Sequence, residues 1–476
     1  MKALRKTKIV GTIGPASENK LEELFIAGLN VCRINYSHGS WDEQSEKSET
    51  IMRLREEMDL PIPMLLDMKG PEIRTGMLYT GKNTKIELKD GQKFTLVNED
   101  IIGDEEKVSV TYKELYKDVE PGTKILIDDG AIELKVNEVV GKDIVTTVVH
   151  GNGLGSRKTI NLPGTVIRLP GLAEKDIADL KTACEHDYDF VAVSFARNAE
   201  DIKNVRKVLD ENGGKDIKII TKVENVEGLQ NLDTIIDMAD AQMIARGDMA
   251  TETDFTEPPV VQKRIIKACN KANKPAITAT QMLESMTHQP LPTRAEASDV
   301  ANAIYDRTSA IMLSGECAQG DYPVECVQTM VKIANRVEPE IDYWKRFSEK
   351  TPELNTYEEK VVYSACISAK IINADAIICY TNTGNTARNL SGLGAGCPIL
   401  AITDNKRTFR QLALAWNVTP IYVETKENID KTIEAGIQKL QDKEILEKGD
   451  IVVITGGGQM LPDDTQSKTI GGVLKI

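Results

Sequence analysis

Short continuous apolar runs, each closed by a polar cluster, alternate with longer stretches of helical period along most of the chain. Lys8-Ile9-Val10-Gly11-Thr12-Ile13 is the first run, and Gly14-Pro15 stops it. Residues 19–27 follow with helical spacing, and Gly28 is placed to cap them. Further runs centre near residues 31, 64, 190, 219, 242, 276 and 310, with helical stretches at 41–58, 174–185, 199–212, 228–238, 259–272, 294–305 and 323–337. Strands buried on both faces read as unbroken apolar runs, and the helices between them as crossovers of a parallel sheet. Eight strands connected in this way predict a (β/α)8 barrel. The other α/β solution, an open doubly wound sheet, expects GxGxxG after its first strand, and the chain has none there.

Two stretches break the rhythm. Between residues 75 and 170 the runs shorten and alternate, as in Val145-Thr146-Thr147-Val148-Val149, with turn signals at Asp90-Gly91 and Asp129-Gly130. This predicts an all-β domain inserted after the third strand. Beyond residue 345 a polar linker leads into a second α/β pattern, with strands near 376–380, 398–403, 420–423 and 451–455, which predicts a small open sheet. The expected division is a barrel domain over 1–74 and 171–345, an inserted domain over 75–170 and a C-terminal domain over 346–476.

The strand ends carry the candidate chemistry. Lys222 and Glu224 share a face by the two-residue period of a strand. Asp248 ends the next run, and Arg33, Asn35, Ser37, Asp67, Glu72, Arg74, Ser194, Thr280, Ser314 and Glu316 stand at the corresponding places of the others. Active sites of such barrels lie at the C-terminal ends of the strands. Two carboxylates suit Mg²⁺, which fills its octahedron with waters and substrate oxygens. A lysine beside them would neutralise charge on a transferring phosphoryl group, and arginines grip phosphate in bidentate fashion. Asn35, Ser37 and Asp67 offer hard oxygens for a monovalent cation, and equally read as turn residues. In the last domain Thr381, Thr383, Gly384 and Thr386 form a candidate phosphate cradle before a helix, or an ordinary capped turn.

Composition narrows the class. A net charge of −14 over 476 residues argues against a nucleic-acid surface. No run reaches the length of a membrane-spanning helix. The first residues lack the apolar core of an export signal. Eight cysteines scattered without CxxC spacing fit a reducing, cytoplasmic location rather than zinc or disulfides.

Several blocks together resemble the pyruvate kinase family: Thr12-Ile13-Gly14-Pro15-Ala16-Ser17, residues 30–39 and 69–74, Lys222-Val223-Glu224-Asn225, and residues 245–248, 278–286, 292–303 and 311–316. The inserted domain, with Gly155-Ser156-Arg157-Lys158, is similar to that family's lid. The resemblance implies transfer of a phosphoryl group from phosphoenolpyruvate to ADP, giving pyruvate and ATP. It implies Lys222, Thr280 and Ser314 as catalytic residues, with protonation of the enolate from the Thr280/Ser314 side through water. Arg33, Gly247, Asp248 and Thr280 would bind substrate, and His38, Arg74, Arg157 and Lys158 the nucleotide. Glu224 and Asp248 would hold Mg²⁺ (or Mn²⁺). Asn35, Ser37, Asp67 and the Met68 carbonyl would hold K⁺, on which Glu72 implies dependence. A sugar-phosphate effector at Thr381, Thr383, Gly384 and Thr386 and a homotetrameric assembly complete the implied picture.

The chain also departs from the family. Met249-Ala250 replaces Leu-Gly, Arg307 a glycine and Cys317 a threonine, and the loop from Gln459 to Thr469 lacks the usual glycine- and threonine-rich character. Were position 250 left-handed, alanine would cost roughly 1–2 kcal/mol. Two other readings fit the same strand-end residues: a metal-dependent barrel aldolase acting on a keto acid, and a ligand-binding paralogue without turnover.

Overall fold

The computed structural model describes residues 4–37, 39–81, 84–254, 256–424, 428–458 and 468–476. Eight parallel strands close into a barrel. In chain order they are β1 (Lys8–Thr12), β2 (Val31–Asn35), β3 (Met64–Asp67), β4 (Phe190–Val193), β5 (Lys218–Lys222), β6 (Ala241–Ala245), β7 (Ala276–Ala279) and β8 (Ala310–Leu313). β1 lies between β8, with Lys8 opposite Ala310, and β2, with Val10 opposite Val31, which shuts the ring.

The unbroken apolar runs are explained by burial on two sides. Val10, Val31, Leu65, Ile220, Met243, Ile277 and Met312 point inward and fill the barrel. Ile9, Cys32, Leu66, Ile219, Ile244 and Ile311 point outward beneath the helices. This alternation fixes Lys222, two residues after Ile220, as an inward group at the barrel mouth.

The expected insertion after β3 is a seven-stranded sheet, mostly antiparallel, with its own apolar core. Its strand Thr159–Asn161 pairs antiparallel with Ile73–Arg74, which ties it to the segment leaving β3. The C-terminal sheet orders its strands Val418–Tyr422, Ile399–Thr403, Ala376–Tyr380, Ile451–Gly458 and Lys468–Lys475, all parallel except the last. That antiparallel edge strand is not foreshadowed by the sequence pattern.

Two local expectations change. The helix expected over 228–238 is two helices, Val226–Gln230 and Leu232–Met238. Asn231 separates them and donates its side-chain amide to the Arg197 carbonyl at 3.0 Å. The polar stretch read as a linker begins with a helix, Tyr343–Ser348, whose Phe347 is buried in the C-terminal core.

The C-terminal sheet domain closes the barrel from below. Leu414 joins the interior column, Lys8 Nζ donates to the Val418 carbonyl at 2.6 Å, and Arg410 Nε donates to Asp189 Oδ1 at 2.8 Å beside the start of β4. The strands' C-terminal ends are left to the insertion. Among the described residues no helix is long and apolar enough to cross a membrane.

Candidate active site

Lys222, at the end of β5, has the most contacts with the other candidates. Its Nζ lies 3.0 Å from Glu224 Oε1, 3.8 Å from Asp67 Oδ1 and 2.9 Å from Ser194 Oγ, to which it donates. Asp67 Oδ2 accepts from Arg33 Nε at 2.6 Å. Arg33 Nη1 donates to Thr12 Oγ1 at 2.8 Å, and Thr12 Oγ1 to the Leu313 carbonyl at 3.0 Å. Strand ends β1, β2, β3, β5 and β8 are thus joined by one polar chain.

Glu224 is held from its other side as well. Its Oε2 accepts from the Phe195 backbone N–H at 2.7 Å. Phe195 has φ +54°, a left-handed conformation that an aromatic residue adopts only when its surroundings impose it. The bend after β4 turns that N–H toward the carboxylate.

Charge in this cluster is unevenly balanced. Burial opposes ionisation of Asp67, but Lys222 and Arg33 overcome it and hold its carboxyl below the ordinary range. Burial also works against the Lys222 ammonium, and Asp67, Glu224 and Asp248 outweigh it, so the lysine stays charged. Glu224 goes the other way: burial, aided by Asp248 and against the pull of Lys222, pushes it up to about 8. For a simple Lys222–Glu224 pair these directions conflict. Three carboxylates against two cations resolve the conflict, because Asp67 already compensates Lys222 and the third anion is in excess.

A cation fits that excess. Asp67 Oδ1 and Glu224 Oε1 are buried without a hydrogen-bond donor; the 3.0 Å Lys222–Glu224 contact is close but poorly aligned for one. Among the described residues no group of three or more His, Cys, Asp or Glu forms a metal cage. A divalent ion here would complete its shell with substrate and water, as Mg²⁺ commonly does.

β6 and β7 supply the opposite wall. Gly247 and Asp248 lie in the first turn of the helix Arg246–Glu252. Thr280 Oγ1 accepts from the Gly247 N–H at 2.9 Å. Thr280 and Gln281 are both left-handed, with φ +67° and +53°, and Arg246 pins them by donating to the Thr280 carbonyl at 2.6 Å and the Gln281 carbonyl at 3.3 Å. Ala250, in the same helix, is not among the positive-φ residues, so the feared strain is absent. Ser314 Oγ is buried without a partner, while the Ser314 N–H donates to Glu316 Oε2 at 2.7 Å.

The remaining candidates are placed more loosely. Asn35 stands opposite Asp67 in the β2–β3 register, yet its Oδ1 accepts from the Ser37 N–H at 3.0 Å, so it serves a turn as well. The Met68 carbonyl accepts from Ser194 Oγ at 2.8 Å. Glu72 pairs with Arg74 at 2.8 Å, and Arg74 Nη1 donates to the Arg157 carbonyl at 2.9 Å. Lys158 is paired with Asp128 at 2.8 Å. Arg74, Arg157 and Lys158 therefore lie where the insertion meets the barrel, beside a cleft lined by Glu72, Asn161, Phe195, Asp248 and Glu252. His38 lies outside the described residues, as does most of the loop after Gly458. Thr381, Thr383, Gly384 and Thr386 sit apart, in the domain below the barrel. Thr381 Oγ1 accepts from the Gly384 N–H at 3.0 Å, and Gly384, at φ +84°, opens the helix Asn385–Leu393.

Sequence reasoning missed the roles of Thr12, Arg246 and the Phe195 backbone. Thr12 stood in a recognised block but not among the strand-end candidates, and a backbone donor carries no side-chain signal.

Comparison with known proteins agrees with this geometry. The family model "Pyruvate kinase, barrel domain" matches residues 4–327, and "Pyruvate kinase, alpha/beta domain" matches residues 359–468. The pyruvate kinase of Clostridium acetobutylicum is 45% identical over 458 residues, covering 95% of this chain and 96% of that protein. That of Clostridium perfringens is 45% identical over 460 residues with the same coverage. A crystal structure of a pyruvate kinase from Cryptosporidium parvum superposes with a TM-score of 0.92 at 36% identity, covering 98% of this chain and 96% of that one. The chain belongs to the pyruvate kinase family and is an enzyme of the kinase class of transferases.

Proposed function

We propose that the chain transfers the phosphoryl group of phosphoenolpyruvate to ADP, giving pyruvate and ATP. The observation that carries this is a buried, charged Lys222 flanked by Asp67 and Glu224 at the barrel mouth. Little covalent work is asked of the protein in such a transfer, so positioning and charge neutralisation dominate. Lys222 meets the phosphoryl group in flight, and Arg33, oriented by Asp67 and Thr12, grips its oxygens. Thr280 and the Gly247-Asp248 backbone hold the substrate carboxylate. Ser314, with its free hydroxyl, lies on the side from which the enolate carbon takes its proton through water. Arg74, Arg157 and Lys158 receive the nucleotide under the insertion.

Mg²⁺ or Mn²⁺ on Glu224 and Asp248, and K⁺ on Asn35, Ser37, Asp67 and the Met68 carbonyl, would supply positive charge to the phosphoryl oxygens. A charged Lys222 speaks against Schiff-base chemistry at this site. All eight cysteines are free, which suits a cytoplasmic location. Homotetrameric assembly and a sugar-phosphate effector at Thr381, Thr383, Gly384 and Thr386 belong to the same proposal, and are read from light scattering and from activation by a sugar-phosphate panel.

The test is pyruvate formation from phosphoenolpyruvate and ADP, with and without Mg²⁺ and K⁺. No pyruvate under any condition overturns the proposal. Lys222→Met should lower kcat by about a thousand-fold or more while leaving Mn²⁺ binding nearly intact. Undiminished turnover in that variant removes Lys222 from its role.

A further inference from the structure

We propose that Ser194 is a positioning residue that aims the Lys222 ammonium and couples it to the Met68 carbonyl. The inference rests on the reading of Lys222 given above and assigns a role to a neighbour that does not itself touch substrate.

The hydrogen bonds at Ser194 have only one possible direction. An ammonium only donates and a carbonyl only accepts. The Ser194 hydroxyl must therefore give its single proton to the Met68 oxygen, 2.8 Å away, and accept from Lys222 Nζ at 2.9 Å. Ser194 is buried at the end of β4, between β3, which leads to Met68, and β5, which ends at Lys222. The loop after β3 is pressed onto it: a Cβ added at Gly70, whose φ is +73°, would stand 2.7 Å from Ser194 Cβ. The contact is fixed from both sides.

Its consequence lies in how the three N–H groups of Lys222 are shared. Ser194 takes one, and Glu224 Oε1 faces the ammonium at 3.0 Å. Asp67 Oδ1, at 3.8 Å, attracts the charge without engaging it closely. A flexible four-carbon stem between two carboxylates would settle on whichever is nearer. A neutral, immobile acceptor fixes its direction while it lies against Glu224, and leaves an N–H for the transferring group. The Met68 oxygen has a second lone pair, so it can accept from Ser194 and also meet a monovalent cation. Loss of Ser194 is then felt at both places.

The experiment compares Ser194→Ala, Ser194→Thr and Ser194→Cys with the unaltered chain. Ser194→Ala is expected to lower kcat by about 10- to 100-fold with KM for phosphoenolpyruvate within about two-fold, because the misdirected charge-assisted bond matters most in the transition state. Ser194→Thr keeps the hydroxyl and should recover most of kcat. A readout independent of turnover is the K⁺ concentration giving half of the K⁺-induced rise in melting temperature, which Ser194→Ala should raise and Ser194→Thr restore. Full kcat in Ser194→Ala, or equal losses in the Ala and Thr variants, overturns the proposal. Should the alanine variant not fold, Ser194→Cys decides it: this near-isostere is a weak hydrogen bonder, and unreduced kcat in it is equally fatal. Absence of pyruvate formation by the unaltered chain would instead defeat the underlying function, so the two failures are distinguishable.

Discussion

Asn161, on the inserted sheet, donates its side-chain amide to Glu252 Oε1 at 2.7 Å, and so fastens the insertion to the helix that begins beside Asp248. Burial raises the Glu252 carboxyl above its usual range, with Asp248 adding to the rise and Asn161 opposing it. Asn161 and Glu252 both line the cleft between the insertion and the barrel. Their bond acts together with Arg197, whose Nη1 donates to the Ile167 and Leu169 carbonyls at 3.0 and 2.7 Å.

Removing that fastening should loosen nucleotide binding more than chemistry. A hydrogen bond to a charged group contributes about 1.5–3 kcal/mol, so Glu252→Ala is expected to raise KM for ADP by roughly 10- to 150-fold. Glu252→Gln retains an acceptor for Asn161 and should stay near the unaltered value. Steady-state kinetics on the two variants checks this, and identical KM values would show that the contact bears no load.

Of the departures from the family pattern, Met249-Ala250 stands beside Asp248 and bears most directly on the site. Ala250 lies in the helix Arg246–Glu252 and outside the left-handed region, so alanine is the better residue there. Ala250→Gly is expected to cost about 0.5–1 kcal/mol of stability without raising turnover. Thermal melting and kcat together test it. A faster glycine variant would mean that the loop needs a freedom the alanine denies.

The substitution was legible, but its consequence was not. Whether a glycine position is left-handed depends on the local path of the chain, which residue identity does not give. The same holds for Phe195, whose contribution is a backbone N–H turned by a φ of +54°. By contrast Lys222, Glu224, Asp67 and Arg33 could be placed before the fold was seen. Their strands are short and end at one rim of the barrel, so counting by twos from an inward apolar residue (Val31, Leu65 or Ile220) suffices. Ser194 was visible as a strand-end hydroxyl, but its partners lie 28 and 126 residues away along the chain. Pairings over such distances are set by barrel closure. Asn231, which splits an expected helix, acts through a contact of the same distant kind.

Lys8 opens the first strand and is buried beneath the barrel, where its ammonium meets the Val418 carbonyl at 2.6 Å. Burial lowers its pKa to about 7, with Arg5 and Lys6 adding to the fall and Glu338 opposing it. The unfolded chain keeps the proton up to its ordinary range, so the folded state is penalised fully below pH 7. That penalty is relieved as pH rises from 7 toward 10.5, because there the unfolded state binds more protons than the folded one. Lys8→Met removes it. The gain in melting temperature over the unaltered chain should be largest near pH 6 and shrink steadily toward pH 9. A gain independent of pH would mean that Lys8 keeps its proton in the folded protein up to its ordinary range.

Arg307 presents the opposite balance at the same interface. Its φ of +67° is one a glycine would hold without strain, and strain of this kind costs an arginine about 1–2 kcal/mol. In return its guanidinium donates to Asn270 Oδ1 at 2.8 Å and to the Gly392 carbonyl, and lies 5.3 Å from the centre of the Trp416 ring. Gly392 is in the last turn of the helix Asn385–Leu393, where a cation is favoured by the helix dipole. Two charge-assisted bonds, at about 1.5–3 kcal/mol each, exceed the backbone strain. Arg307→Gly should therefore lower stability by about 1–3 kcal/mol despite its relaxed backbone, since it also leaves the Gly392 oxygen and Asn270 without their donor. Hydrogen exchange should quicken first in the helix Asn385–Leu393, which loses its tie to the barrel. A higher melting temperature in the glycine variant would show that strain outweighs the clamp, and that the arginine is kept for something other than holding the two domains together.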